Sequence, residues 1–329
     1  MRNSFKEKNF VKKTLSVNRL AWKLVEKLCE NADYYGVNVE RTSSGTIVDA
    51  GIVAKGGFEA GKIITEICMG GCGKAKIVYR QYGKLELPSI FVYTDHPAIA
   101  TLGSQFAGWQ IKEGDYFAIG SGPARALAVK PKEIYEKIAY KDGFDKAVIV
   151  LETDKHPPEN LLERFVKDCH VTSEKLAVIL TPTASIAGAT QVSGRIVETG
   201  IHKLTTLGLN PNVILYAWGI APISSIHPKF VQAMARTNDA ILYGGITYYT
   251  VEYDDDEKLK EIVEKAPSKA SKSYGKPFIE IFKDANYDFY KIDPNLFAPA
   301  VLIINNAKTG KVFKAGEINT EILTKSLGF

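Results

Sequence analysis

Cysteine is scarce in this chain: Cys29, Cys68, Cys72 and Cys169 are the only four in 329 residues. Four thiols are too few to staple a chain of that length, so a disulfide scaffold is excluded and a reducing compartment is expected. Cys68 and Cys72 share the segment CMGGC, but no second cysteine pair and no clustered histidines complete a metal set. The cysteines therefore read as small core residues. Long apolar runs are missing too: no stretch approaches the roughly 18 residues of a membrane helix, and the opening MRNSFKEKNF lacks the apolar core of a signal peptide. A cytoplasmic protein is expected. Basic runs are also absent. The net charge of +5 comes from dispersed lysines and arginines, which argues against nucleic acid and suits a small anionic ligand, although a solvated surface explains it equally.

What is present is ordinary globular composition, 45% hydrophobic and 24% charged, in enough chain for two cores. Apolar residues at Val17, Leu20, Ala21, Leu24, Val25 and Leu28 repeat on one helix face, with Ser16 placed to cap it. Gly and β-branched residues alternate over 45–57, and EAGKIITEICMGG then reads as a helix ended by glycines. KAKIVYR, SIFVYTD, DYFAIGS, KAVIVLE, KLAVILT, NVILYAW and AILYGGITYYTVEY read as strands, with helical stretches such as PENLLERFVKDC between them. The fold class is α/β, or α+β-like, in two mixed domains at 1–143 and 144–329, with exchange of segments between them allowed. No fixed-period repeat is visible. The stretch DDDEKLKEIVEKAPSKASKSYGK reads as an exposed insertion with a short surface helix, remote from any chemistry.

Four segments place polar groups among small residues in a way a packed core does not require. Gly120, Ser121 and Gly122, followed by Pro123, Ala124 and Arg125, come after the strand DYFAI and offer backbone N–H groups to an anion. They lack the ending of a P-loop and the glycine spacing of a dinucleotide fingerprint, and a plain tight turn fits equally. Tyr93 and Asp95 stand at another strand end, with Ser104 and Gln105 shortly after, although Asp95 also suits a helix cap. Arg236, Asn238 and Asp239 fall at the end of a helix before the strand AILYGG, where an arginine is stabilising by itself.

The fourth segment is SGRIVETGIHKL. A 100° advance per residue gathers Ile196, Val197, Ile201, Leu204 and Leu207 on one side and Arg195, Glu198 and His202 on the other. A solvent-facing salt bridge worth about 0.3–0.5 kcal/mol is one reading. Against it, Arg195 lies in the first turn, where the helix dipole disfavours a cation, and that placement points to a functional role.

Through SVNRLA, GGFEAG, CMGG, TDHPAIA, SQFAGW, GSGPARAL, SGRIVETGIHK, HPKFVQAMARTNDAILYGG and NYDFYKIDPNLFAPA, in order, the chain resembles methenyltetrahydromethanopterin cyclohydrolase. The resemblance covers nearly the whole length. It implies two α/β domains facing each other across a substrate pocket, a homotrimer, no prosthetic group, and Arg195 and Glu198 as the catalytic pair. The departures are a longer lead at 1–15, the cysteine at 72 and the basic content of 254–276. The pterin substrate would be held by Tyr93, Asp95, Ser104, Gln105, Gly120, Ser121, Gly122, Arg125, Arg236, Asn238 and Asp239, with GSGPAR and Arg236 taking its anionic tail. Two other readings stay open: a non-catalytic module binding a phosphorylated pterin or nucleotide, and a cyclohydrolase acting on folate.

Overall fold

The computed structural model describes residues 15–329, so the lead at 1–15 lies, apart from Leu15, outside the described residues. Two six-stranded sheets organise the chain. The first runs in the order β1 (Asn38–Thr42), β2 (Gly45–Asp49), β8 (Leu176–Leu180), β7 (Ala147–Glu152), β6 (Tyr116–Ser121), β5 (Trp109–Glu113). Its centre, β2, β8 and β7, is parallel. Val148 and Val150 of β7 face the helices Val17–Glu30 and Phe58–Cys68, while Ala147, Ile149 and Leu151 face Phe165 of the helix Glu159–Cys169. Both faces are covered, which is why AVIVLE and LAVIL are nearly unbroken apolar runs. Each fully buried Val, Ile or Leu in them contributes about 1.5–3 kcal/mol.

The first helix starts as its sequence predicts, with the Ser16 hydroxyl accepting from the Arg19 N–H at 3.1 Å. Buried Asn18 ties that helix to two later segments. Its amide donates to the Pro123 carbonyl at 2.7 Å and to Asp142 at 3.0 Å, and its oxygen accepts from the Val148 N–H at 3.2 Å.

The second sheet runs β12 (Val312–Gly316), β11 (Val301–Asn306), β10 (Ile246–Val251), β9 (Ile214–Pro222), β4 (Leu85–Thr94), β3 (Gly73–Tyr82), with only β10 and β11 parallel. Its inner face, including Ile90, Val92, Tyr249 and Leu302, packs on the helix Ile196–Thr206. Each sheet draws strands from both sides of residue 143, so neither is a contiguous piece of chain.

Two expectations are corrected here. AILYGG is not a strand: the helix Phe230–Gly244 continues through it, and β10 begins only at Ile246. Ile241 joins the core under the second sheet, while Leu242 and Tyr243 pack with Phe278 and Leu323 on another side. A helix buried on several sides reads as an unbroken apolar run, and periodicity alone cannot tell it from a strand. The acidic stretch after 253 is not merely a surface insertion either. Asp255 caps the helix Asp256–Lys265, and its Leu259, Ile262 and Val263 are buried in the core of the second sheet.

Candidate active site

The helix Ile186–Ser193 ends at Gly194, and the helix Ile196–Thr206 begins at once. A Cβ on Gly194 would lie 2.5 Å from the Thr65 side chain, so the corner has room only for glycine. Arg195 occupies the corner itself, just before the first turn. Glu198 sits in that turn. The predicted apolar face is buried as far as Leu204 and partly buried at Leu207, and Gly200 brings it onto the second sheet: a Cβ there would meet the Tyr249 hydroxyl at 2.0 Å. That hydroxyl donates to the Val197 carbonyl at 2.9 Å.

The charged face is not solvent-facing. Arg195 and Glu198 are only 8% and 6% exposed, and both line a cavity of about 370 Å³. The surface salt bridge is therefore excluded; among the described residues, no ion pair within 4.0 Å joins Arg195 to a carboxylate. Instead, Arg195 Nη1 donates to the Gln105 carbonyl at 2.7 Å, and Gln105 Nε2 donates to the Gly194 carbonyl at 3.0 Å. Gln105 ends a π-helical turn, Thr101–Gln105, closed by the Phe106 N–H on the Thr101 carbonyl at 2.8 Å. The one-residue widening delivers Phe106 and Ala107 to the cavity. Among the described residues none donates a hydrogen bond to the Glu198 carboxyl. Burial pushes its carboxyl up to about 7, against the opposing pull of Arg195 and Arg125. A carboxyl poised there exchanges protons at neutral pH.

Several cavity residues carried no signal that singled them out. Glu152 ends β7 and lines the cavity; burial pushes its carboxyl up and Arg195 opposes this. Its one readable sign was a charge closing an apolar strand at the edge of a parallel sheet centre. Phe106 stacks on His202 with centroids 4.8 Å apart, and the Arg125 guanidinium lies 5.2 Å over its ring. Burial holds His202 below the usual histidine range. Phe289 and Phe297 line the same cavity from the segment NYDFYKIDPNLFAPA, in which no residue was singled out for a site.

The other predicted residues divide. Asn238 lines the cavity, with its amide donating to the Met234 carbonyl at 2.9 Å. Ser104 and Ser121 support it from behind: the Ser104 hydroxyl donates to the Cys68 carbonyl at 2.6 Å and that of Ser121 to the Gln105 carbonyl at 3.0 Å. Gly120 is paired within the first sheet, and the Gly122 N–H donates to the Ser104 carbonyl at 2.9 Å. Arg125 is fully buried, donating to the carbonyls of Lys130, Leu102 and Ser104. The GSGPAR turn thus braces the Thr101–Gln105 segment, with the Arg125 guanidinium buried behind it.

Arg236 and Asp239 lie mid-helix, contrary to expectation, and neither lines the cavity. Arg236 donates to the Ser225 hydroxyl at 2.9 Å and the Ile226 carbonyl at 3.2 Å. Asp239 is wholly buried and accepts from the Phe278 N–H and the Ser326 hydroxyl, holding other elements together. Tyr93 and Asp95 stand on the outer side of the second sheet, beside Phe91, Tyr216 and Trp218. A larger groove of about 710 Å³ also borders Tyr93; within it Lys62 pairs with Glu59 and Lys74 with Glu66. Cys68 is buried and Cys72 half-buried; among the described residues no group of three His, Cys, Asp or Glu side chains is placed to hold a metal ion. No helix among them is long and apolar enough to cross a membrane.

Comparison with known proteins gives this geometry a family. The model of the family described as Cyclohydrolase (MCH) matches residues 16–327. A methenyltetrahydromethanopterin cyclohydrolase of Methanocaldococcus jannaschii is 47% identical over 319 residues, covering 96% of this chain and 99% of its own. Those of Methanothermobacter marburgensis and Methanosarcina barkeri are 46% and 43% identical, covering 95% of this chain and 99% and 98% of their own. The chain therefore belongs to the methenyltetrahydromethanopterin cyclohydrolase family.

Proposed function

We propose that this enzyme reversibly hydrolyses N5,N10-methenyl-tetrahydromethanopterin to the N5-formyl compound in the cavity beside Glu198. The observation that carries the reading is the Glu198 carboxyl: buried, unpartnered, raised to about 7 and lodged next to Arg195 in that cavity. The methenyl bridge is an amidinium-like cation, electrophilic at carbon without further activation. Water adds to that carbon while Glu198 takes one of its protons, giving a hydroxylated tetrahedral carbon on both nitrogens. The C–N10 bond then breaks, its electron pair goes to N10, and Glu198 returns the proton there. The hydroxyl proton is released as the formyl C=O forms. Arg195, fixed by the Gln105 carbonyl, orients Glu198 and moderates its proton affinity.

In this reading the two α/β domains enclose the pterin between them, the enzyme works as a cytoplasmic homotrimer, and no prosthetic group takes part. The test is the ultraviolet absorbance of the methenyl amidinium on mixing with the enzyme. Rapid loss with methenyl-tetrahydromethanopterin, and little with methenyl-tetrahydrofolate, is expected. Loss with the folate alone would make it a folate enzyme, and tight binding with no loss would make it a binding module.

A further inference from the structure

Arg125 stands in the first turn of the helix Ala124–Ala128, wholly buried, and among the described residues no carboxylate forms an ion pair with it. Its guanidinium is engaged by carbonyls instead: Nη1 donates to those of Leu102 and Ser104 at 3.2 Å each, and Nε to that of Lys130 at 2.9 Å. Nη2 has no acceptor among the described residues. A buried cation held by dipoles alone is a costly brace, and an apolar side chain of its volume would fill the same corner at less cost. Burial pulls the guanidinium below the usual arginine range, yet an arginine keeps its proton all the same. The charge therefore calls for a role of its own.

Two features tie that charge to the reaction. The first is mechanical. The Leu102 and Ser104 carbonyls belong to the π-helical turn Thr101–Gln105, which the Ser121 hydroxyl and the Gly122 N–H also hold from the loop before Arg125. The turn ends at the Gln105 carbonyl, on which Arg195 is anchored, and leads into Phe106, whose ring lines the cavity 5.2 Å from the Arg125 guanidinium. The second is electrostatic. Of the carboxylates, Glu198 is the one with which Arg125 interacts through space. The other titratable groups facing Glu198 are Arg195 and His202 on its own helix, Glu152 at the end of β7 and Tyr249 of β10. Burial holds His202 below the usual histidine range, so the cations acting on Glu198 are the two arginines. We infer that Arg125 is a positioning residue for the reaction: from behind the cavity wall it fixes the Gln105 carbonyl that anchors Arg195, and it sets a second positive charge near Glu198. Arg125 acts through these groups and does not touch the substrate. The inference rests on the function proposed above.

The experiment compares two variants with the wild-type enzyme. Arg125→Gln removes the charge and keeps an amide donor; Arg125→Lys keeps the charge and loses the three-way grip on the carbonyls. Each is followed by the pH dependence of kcat/KM for the methenyl substrate, and by infrared titration of the Glu198 carboxyl, assigned by difference from the same protein carrying Glu198→Gln. In Arg125→Gln the titration and the rising limb should both move up by on the order of one pH unit, a roughly tenfold loss of kcat/KM well below neutral pH. In Arg125→Lys both should stay at their wild-type positions while the plateau rate falls by roughly tenfold or more, because the anchor of Arg195 is loosened. A side chain that only braced the core would lower stability and leave the Glu198 titration in place. If Arg125→Gln does not fold, Arg125→Met supplies the neutral arm. A titration unmoved in the folded neutral variant, one moved equally in both variants, or a wild-type plateau rate in both overturns the inference. A wild-type enzyme inert toward the methenyl substrate overturns the proposed function instead; the infrared titration, which needs no turnover, still reads whether Arg125 acts on Glu198.

Discussion

Arg195 and Gln105 clasp each other across 90 residues of chain: the Arg195 guanidinium donates to the Gln105 carbonyl at 2.7 Å, and the Gln105 side chain donates to the carbonyl preceding Arg195 at 3.0 Å. The arginine is thereby anchored through backbone rather than through a carboxylate. Its charge acts on Glu198 through space, lowering a carboxyl that burial raises.

Removing that charge has a defined consequence. In Arg195→Ala the Glu198 carboxyl loses an opposing influence, so the rising limb of kcat/KM against pH, expected near 7 in the wild type, should move to higher pH. The rate on the plateau should also fall, because the base is no longer oriented. On the proposed mechanism the two residues act as a unit, so the Arg195→Ala, Glu198→Gln double variant should be far less than multiplicatively worse than either single one. A pH–rate profile displaced to lower pH would contradict the arrangement.

Stability should carry the mark of the same carboxyl. Glu198 is raised from an ordinary value near 4.5 to about 7, so the folded state holds a proton that the unfolded chain gives up between those values. Its contribution to stability is fully present below about pH 4.5 and is lost as pH rises through 7. Glu198→Gln lacks this titration. Urea unfolding should show the variant gaining on the wild type as pH rises over that window, by on the order of 1–3 kcal/mol above pH 7. A difference that stays flat with pH would refute the buried, unpaired state of Glu198.

The helix that carries the pair is seated by a glycine. Gly200→Ala would drive a methyl into the Tyr249 hydroxyl, 2.0 Å away, and disturb its bond to the Val197 carbonyl. Overpacking of this kind should destabilise the fold by about 1–3 kcal/mol in urea unfolding. Turnover should fall too, because Glu198 lies two residues away. A variant as stable as wild type would show that the helix does not need this close approach.

Much of the fold was legible in the sequence, and the exceptions have physical causes. The Val17–Glu30 helix and strands β7 and β8 announced themselves because their apolar spacing matches one buried face or two. Strand β1, NVERT, and edge strand β12 went unread, since largely exposed edge strands show little apolar alternation. Arg195 and Glu198 were visible as a charged pair on one helix face, but their burial was not. A polar helix face looks the same in sequence whether it meets water or a cavity. Arg125 and Asp239 illustrate the converse. Each reads as a ligand group, yet each is fully buried and hydrogen-bonded to other segments of the chain, because a charged side chain in a corner of the core can serve as a brace.

That distinction predicts a separation of effects at Asp239. Asp239→Ala leaves the Phe278 N–H and the Ser326 hydroxyl without their acceptor, and should destabilise the fold by about 2–4 kcal/mol. Per folded molecule, kcat and KM should be those of wild type. A selective loss of kcat with stability intact would return Asp239 to the active site.

The most direct measurement is the turnover of Glu198→Gln on methenyl-tetrahydromethanopterin, followed by loss of the amidinium absorbance, with tetrahydromethanopterin binding measured in parallel. The amide keeps the shape of the side chain and cannot accept a proton from water. The account predicts kcat lower by about 100- to 10,000-fold with binding of the carrier retained. Near-wild-type turnover by this variant would contradict the claim that Glu198 is the base that activates water.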